Sequence, residues 1–365
     1  MRDGITKRQS SVIQGIAVLL MIFHHSTICG EEIYFLNAEL AMRFAWFGKM
    51  CVALFAFVSG YGMYYVLRRE PEMRFFQRLF KDYKAVARRL FSVYQKYWLV
   101  FFVFLGPALL RGALRFEAGE FFRNLFAVSS TYQETWWYMG QYVKMMLLLP
   151  PLELLFLKLP DAGERRKKWI CAGILSGLVI VLLLFGALFY PPVWKLLTAL
   201  VENLRISFFL PFCEGYLLAR FKGYQWICHK TERMGKLWTA LTAALLLILA
   251  VALRIVLADS AAYARADFLI VPIFVYAVLI LLQYVPPVET VLEWIGRRSA
   301  YMWLIHGFFY AYLLQWLIGR VHSGELIYVI ITVLSALAAW IPDLVRKLLT
   351  SKKVRGYNDE KRKMQ

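Results

Sequence analysis

Apolar stretches long enough to cross a bilayer recur ten times along the chain, and the short polar segments between them are alternately rich and poor in lysine and arginine. A crossing helix needs about 20 predominantly apolar residues. That length predicts helices near residues 10–29, 48–67, 90–112, 134–157, 169–190, 199–219, 237–257, 267–285, 299–318 and 326–345. Pro107, Pro150, Pro151, Pro211 and Pro272 fall inside these spans, where neighbouring helices can satisfy the carbonyls a kink sets free. The expected fold is all-α: a polytopic integral membrane protein of about ten transmembrane helices. One transmembrane domain is expected over residues 1–345 and a basic tail over 346–365, with no internal repeat, linker or trailing soluble domain expected.

The charge distribution orients this layout. Arg2, Lys7 and Arg8, the run from Arg68 to Lys96, Lys158 to Lys168, Arg220 to Lys236, Arg297 with Arg298, and the tail from Arg346 together hold 32 of the 43 Lys and Arg residues. Cytoplasmic loops carry such an excess, so both termini are expected in the cytoplasm. Arg43, Arg111, Arg115, Arg123, Lys195, Arg265 and Arg320 are among those left to outer loops or helices. A net charge of +19 would suggest nucleic acid in a soluble protein; here it accompanies 60% hydrophobic residues and a mean hydropathy of +0.54, so it reads as topology and nucleic acid is not an expected partner. The bilayer of the cell (plasma) membrane is. The first apolar run follows basic residues but lacks a small-residue cleavage site after Ile28, as expected for a retained helix. Cys29, Cys51, Cys171, Cys213 and Cys228 have no paired spacing for a metal site, and none is expected; Cys29 and Cys51 are near enough to one face to pair, or are simply small packing residues.

Candidate chemistry lies where the apolar pattern is violated. Ionisable groups within spans cost about 2.5–3.5 kcal/mol each on insertion scales and face protein or water. They are His24, His25, Lys96, Lys144, Glu153, Glu214, Arg254 and His306. Lys96, Glu153 and Arg254 are near predicted helix ends, where snorkelling explains them. His25 follows Gln14 by eleven residues, three turns on, which puts both on one helix face about 16 Å apart, with His24 pointing elsewhere. An imidazole in a membrane suits general-base work because it is neutral and available near pH 7; a buried histidine bonded to a carbonyl is the equal alternative from this helix alone. Arg88 and Arg89, read at the start of a helix that continues through Tyr94, Lys96, Tyr97 and Trp98, form a wall suited to a polyphosphate ligand, or else fix topology and attract anionic lipid. Trp136, Trp137 and Tyr138 read by default as an interfacial aromatic belt.

Several segments, in this order, resemble the acyltransferase-3 family of integral membrane O-acyltransferases over residues 10 to 310. They are Gln14-Gly15-Ile16-Ala17 running to Phe23-His24-His25, Leu54 through Gly62, Arg88-Arg89-Leu90 leading to Tyr97-Trp98, and Ile295-Gly296-Arg297-Arg298-Ser299 leading to Leu304-Ile305-His306. Trp136-Trp137-Tyr138 to Pro150-Pro151 is similar to the family's mid-chain helix. The resemblance implies ten helices, an acyl-CoA donor arriving from the cytoplasm as co-substrate, no permanently bound cofactor, and an essential histidine on the first helix, by position His25. The chain departs from the family pattern in having Gln14 where a basic residue is usual, and Ser92 and Gln95 where a second arginine and a proline are common.

The resulting expectation is an enzyme: an O-acyltransferase moving an acyl group, acetyl foremost, from acyl-CoA to a hydroxyl of a cell-surface or lipid-linked glycan. His25 is the expected catalytic residue, either deprotonating the acceptor hydroxyl or taking the acyl group itself, with Gln14, Arg88, Arg89 and Lys96 on the donor. Ser59, Glu214 and His306 are pocket candidates; Ser59 or Gln14 would serve an oxyanion, and Glu214 either orients an imidazole or pairs with a cation. The alternative is a transporter or flippase of a small solute or lipid-linked glycan, since intramembrane charges and kinked helices suit that class too. Nothing in the pattern fixes an oligomeric state.

Overall fold

The computed structural model describes residues 4–28, 34–67, 73–157, 205–259, 264, 266–341 and 344. The expected helix 169–190, the opening of 199–219, the basic loop Lys158 to Lys168, the tail 346–365, and Arg68, Arg69, Lys195, Arg265, Cys29 and Cys171 lie outside the described residues.

Within them every regular element is helical: α1 (Lys7–Ile28), α2 (Ala38–Gly48), α3 (Cys51–Val66), α4 (Phe75–Leu110), α5 (Ala118–Leu125), a 3₁₀ turn (Glu134–Trp136), α6 (Trp137–Leu157), α7 (Ile206–Arg220), α8 (Gly223–Glu232), α9 (Lys236–Val256), a second 3₁₀ turn (Leu257–Asp259), α10 (Asp267–Leu282), α11 (Pro286–Gly296), α12 (Ser299–Phe308), a π segment (Phe309–Leu313), α13 (Gln315–Val321) and α14 (Gly324–Ala338). Lys7–Ile28, Ala38–Val66, Phe75–Leu110 and Lys236–Val256 are long and apolar enough to cross a membrane. Asp267–Leu282 and Gly324–Ala338 are shorter apolar helices.

The elements depart from the apolar pattern in three ways. The third span does not begin near residue 90: α4 starts at Phe75 and runs for 36 residues, about 54 Å against about 30 Å of hydrocarbon. Its first turns are amphipathic, not apolar, and they carry Arg78, Lys81, Lys84, Arg88 and Arg89. Arg88 and Arg89 are therefore exposed in the middle of a helix and not at its start. The span expected at 299–318 is broken. The π segment closes on Leu314, whose backbone leaves helical geometry, and the two halves meet at 72°. The short helices α5, α8 and α11 fall between expected spans, where length alone gives no signal.

The chain forms two compact units. The first takes in the described parts of Met1–Ser10, Val52–Leu90 and Tyr138–Pro286. In it α9 packs along α10, and the crossing of α3 and α7 is made by glycines: a Cβ on Gly60 would strike the Phe212 carbonyl and one on Gly215 the Phe57 carbonyl. Small residues let backbones approach in this way in membrane proteins. Two buried ionic clusters sit here. Arg254 Nε meets Asp267 Oδ1 at 2.7 Å with both side chains enclosed. Glu153, fully buried, accepts from the Tyr216 hydroxyl and lies 3.5 Å from Arg78 Nη2 and 3.8 Å from Arg220 Nη1; Asp82 pairs with Arg78 at 4.0 Å. Neither Glu153 nor Arg254 snorkels as expected. Each turns inward because partners from other helices offset the desolvation that a lone buried charge would suffer.

The second unit takes in the described parts of Ser11–Cys51, Phe91–Trp137 and Pro287–Gln365. Its α1 and α11 also cross through glycines: a Cβ on Gly15 would strike the Leu292 carbonyl, and one on Gly296 the Ser11 carbonyl. Phe23 of α1 packs edge-on against Phe35 and Tyr328 of α14. The segment between α5 and α6 is tied by Glu120, whose carboxylate accepts from Thr131 Oγ1 at 2.7 Å and Ser129 Oγ at 3.2 Å. The Thr131 hydroxyl holds the Glu120 carboxyl below the usual carboxylate range, with Ser129 and Arg123 adding to it and desolvation opposing.

Candidate active site

His25 sits at the last turn of α1 and His306 near the end of α12, 281 residues apart in sequence. Gly15 and Gly296 explain why they meet. Their backbone contact fixes α1 against α11, and only Arg297 and Arg298 separate α11 from the helix that carries His306. His25 Nδ1 lies 2.9 Å from His306 Nε2. The ring centroids are 5.1 Å apart with 20° between planes, so the rings lie edge to edge and nearly coplanar, and the nitrogens face each other in plane. His306 Nδ1 in turn lies 2.7 Å from the Trp303 carbonyl oxygen. His306 has no exposed surface, whereas His25 is only partly enclosed.

Two indoles hold the turn that presents His306. Trp303 Nε1 donates to the Thr135 carbonyl at 3.2 Å, and Trp136 Nε1 donates to the Leu304 carbonyl at 3.0 Å. The 3₁₀ turn and α12 thus exchange indole-to-backbone bonds immediately before His306. Trp136 is buried, with its ring 4.7 Å from Tyr97 and 5.4 Å from Phe308, so it is not part of a headgroup belt. Tyr97 itself donates to the Asn124 carbonyl at 2.5 Å. Two residues beyond His306, after Phe308, the helix gives way to the π segment, a distortion found mostly at functional positions. Tyr310 of that segment borders both imidazoles, 6.1 Å from His25 and 5.8 Å from His306.

His24 does something different. Its Nδ1 lies 2.7 Å from the Ala45 carbonyl, and it is buried. The two readings open for a membrane histidine are thus divided between neighbours: His24 is bonded to a carbonyl, and His25 faces another imidazole.

The other sequence candidates are distributed as follows. Gln14, half-buried, shares α1 with His25. Lys96 of α4 places Nζ 5.6 Å from the Tyr301 ring centroid in the second unit, a cation–π contact in place of the expected snorkelling. Arg88 and Arg89 are exposed residues of the first unit, with Arg88 Nε donating to the Lys84 carbonyl at 3.4 Å. Ser59 and Lys144 are half-buried on α3 and α6 of that unit. Glu214 of α7 keeps a buried Oε2 with no hydrogen-bond partner among the described residues. The imidazole that meets His25 Nδ1 is His306, a role left open in the sequence. Trp303, Thr135 and Trp136, which hold it, gave only the aromatic cluster as a signal. Cys51 and Cys228 are buried and Cys213 is half-buried.

A family model described as an acyltransferase domain matches residues 10–342. No curated protein and no solved structure matches the chain.

Proposed function

Since the chain belongs to this acyltransferase family, over nearly its whole length, we propose that it is a plasma-membrane O-acyltransferase that uses acyl-CoA, acetyl-CoA foremost, to esterify a hydroxyl of a cell-surface or lipid-linked glycan. That the protein is a multi-pass membrane acyltransferase follows from the match and the apolar helices. Ten spans, cytoplasmic termini, donor, acceptor and residue roles are the proposal.

The observation that carries it is His25: a partly exposed imidazole on a helix able to cross a membrane, braced by a second, fully buried imidazole. Such a group is neutral near pH 7 and can take a proton from an alcohol. In the proposed reaction His25 accepts the acceptor's hydroxyl proton as its oxygen attacks the thioester carbonyl. The tetrahedral oxyanion then collapses, the C–S bond breaks, and the departing CoA thiolate recovers the proton from the imidazolium. An ester and free CoA remain, and His25 is neutral again. Gln14, with an amide that donates hydrogen bonds but supplies no charge, and Ser59 are proposed near the oxyanion or donor.

Donor phosphates are assigned to Arg88, Arg89 and Lys96. Guanidinium groups bind phosphate oxygens with two parallel bonds, and Arg88 and Arg89 are exposed to receive them. Positive charge concentrated on the cytoplasmic side suits an anionic donor supplied there.

The test is to reconstitute the full chain in liposomes with acetyl-CoA labelled in the acetyl group and a membrane glycan fraction. Label leaving CoA and appearing as alkali-labile ester supports the reading. Glycan crossing the membrane with label retained on CoA would instead support transport.

A further inference from the structure

We infer that His306 is the positioning residue of the site: it fixes the tautomer of His25 and thereby makes His25 Nε2 the atom that accepts the proton. The inference rests on the proposed use of His25 as a base and adds which atom acts and what sets it.

The argument follows the hydrogens from the backbone outward. A carbonyl oxygen can only accept, so at 2.7 Å from the Trp303 oxygen, His306 Nδ1 must carry the hydrogen. A neutral imidazole carries one N–H, and His306 Nε2 is therefore a lone pair. That lone pair is 2.9 Å from His25 Nδ1 and nearly in plane with it, so the bond forms only if His25 Nδ1 donates. The single hydrogen of neutral His25 is then on Nδ1, and its Nε2 is an acceptor. Among the described residues no hydrogen bond reaches His25 Nε2, and this ring is the partly exposed one of the pair. The opposite tautomer would set two N–H groups or two lone pairs against each other at one of the two bonds.

The same chain receives the charge that catalysis creates. When Nε2 takes the hydroxyl proton, His25 becomes an imidazolium whose Nδ1–H points at the His306 lone pair, so the cation is hydrogen-bonded as soon as it forms. His306 needs no movement to do this, because Trp303 and Trp136 anchor its turn through Thr135 and Leu304.

The direct test is the histidine ¹⁵N spectrum of the full chain in bilayers, with His25 assigned by its loss in His25→Ala. His25 is expected protonated on Nδ1 and unprotonated on Nε2, and an Nε2–H signal would overturn the inference without any substitution at 306. Two variants then separate positioning from packing. His306→Phe keeps bulk but offers no acceptor, whereas His306→Gln offers a side-chain oxygen to His25 Nδ1–H. With acetyl-CoA and a membrane glycan fraction, His306→Phe should lower kcat about 10²-fold, the lower end of what a positioned base supplies, with KM for acetyl-CoA within about twofold; His306→Gln should recover most of the loss. Equal losses in Phe and Gln, or a change in KM alone, would overturn the inference. If His25→Ala is inactive while His306→Phe turns over normally, this inference fails and the base survives; if His25→Ala is fully active, the base reading fails with it.

Discussion

Glu153 and His306 are both polar, both without exposed surface and both on apolar helices, yet the groups around them leave different remainders. Around Glu153 the charges close on themselves: two arginines, two carboxylates and the Tyr216 hydroxyl. Such a cluster is held by partners on several helices. Around His306 the hydrogen bonds run in one direction, from the Trp303 carbonyl through two rings to a nitrogen at their open end. The lesson is that burial alone does not mark chemistry; an unspent lone pair at the end of a satisfied chain does.

Three variants sharpen the comparison, in order of size. Removing the carboxylate with Glu153→Ala should leave two arginines buried without their shared partner and destabilise the first unit by about 3–5 kcal/mol. It is expected to appear as a large fall in thermal midpoint in detergent, with turnover per folded molecule unchanged; a lost turnover at normal stability would show that the ion cluster takes part in the reaction. Next, Arg88→Ala with Arg89→Ala should raise KM for acetyl-CoA about tenfold or more, on the order of one or two lost charge-assisted hydrogen bonds, and leave KM for the acceptor nearly unchanged. Equal effects on both substrates would assign the pair to folding.

The smallest effect concerns Glu120. Its carboxyl is held below the usual range in the folded protein, so its contribution to stability is present above the unfolded-state value and disappears as pH falls through the lowered one. Wild type should therefore melt higher than Glu120→Gln near neutrality, and the two curves should converge in acid. A constant gap across pH would show that the Thr131 and Ser129 bonds do not depend on the charge.

Much of the scaffold was legible in the sequence because lipid imposes a length. The apolar runs predicted at 10–29, 237–257 and 267–285 correspond to Lys7–Ile28, Lys236–Val256 and Asp267–Leu282. What the runs concealed is where an apolar sequence stops being a straight helix. Phe309-Tyr310-Ala311-Tyr312-Leu313 contains neither glycine nor proline, and hydropathy does not distinguish its π geometry from α. The basic start of α4 carries a loop signal in the sequence because charge interrupts the apolar count but not the helix. Glu153 looked like a snorkelling end residue because Arg78 and Arg220 are 75 and 67 positions away. His25 was legible from its place on the first helix; His306 stayed ambiguous because its meaning comes from a neighbour 281 residues distant. The glycines that bring them together, Gly15 and Gly296, lay inside the resembling segments without revealing that they touch.

The most direct measurement is acyl transfer by His25→Ala, per folded molecule, beside wild type in the same liposomes with labelled acetyl-CoA. The account predicts a loss of about 10²–10⁴-fold with membrane insertion and thermal midpoint unchanged. Wild-type ester formation by His25→Ala would contradict it.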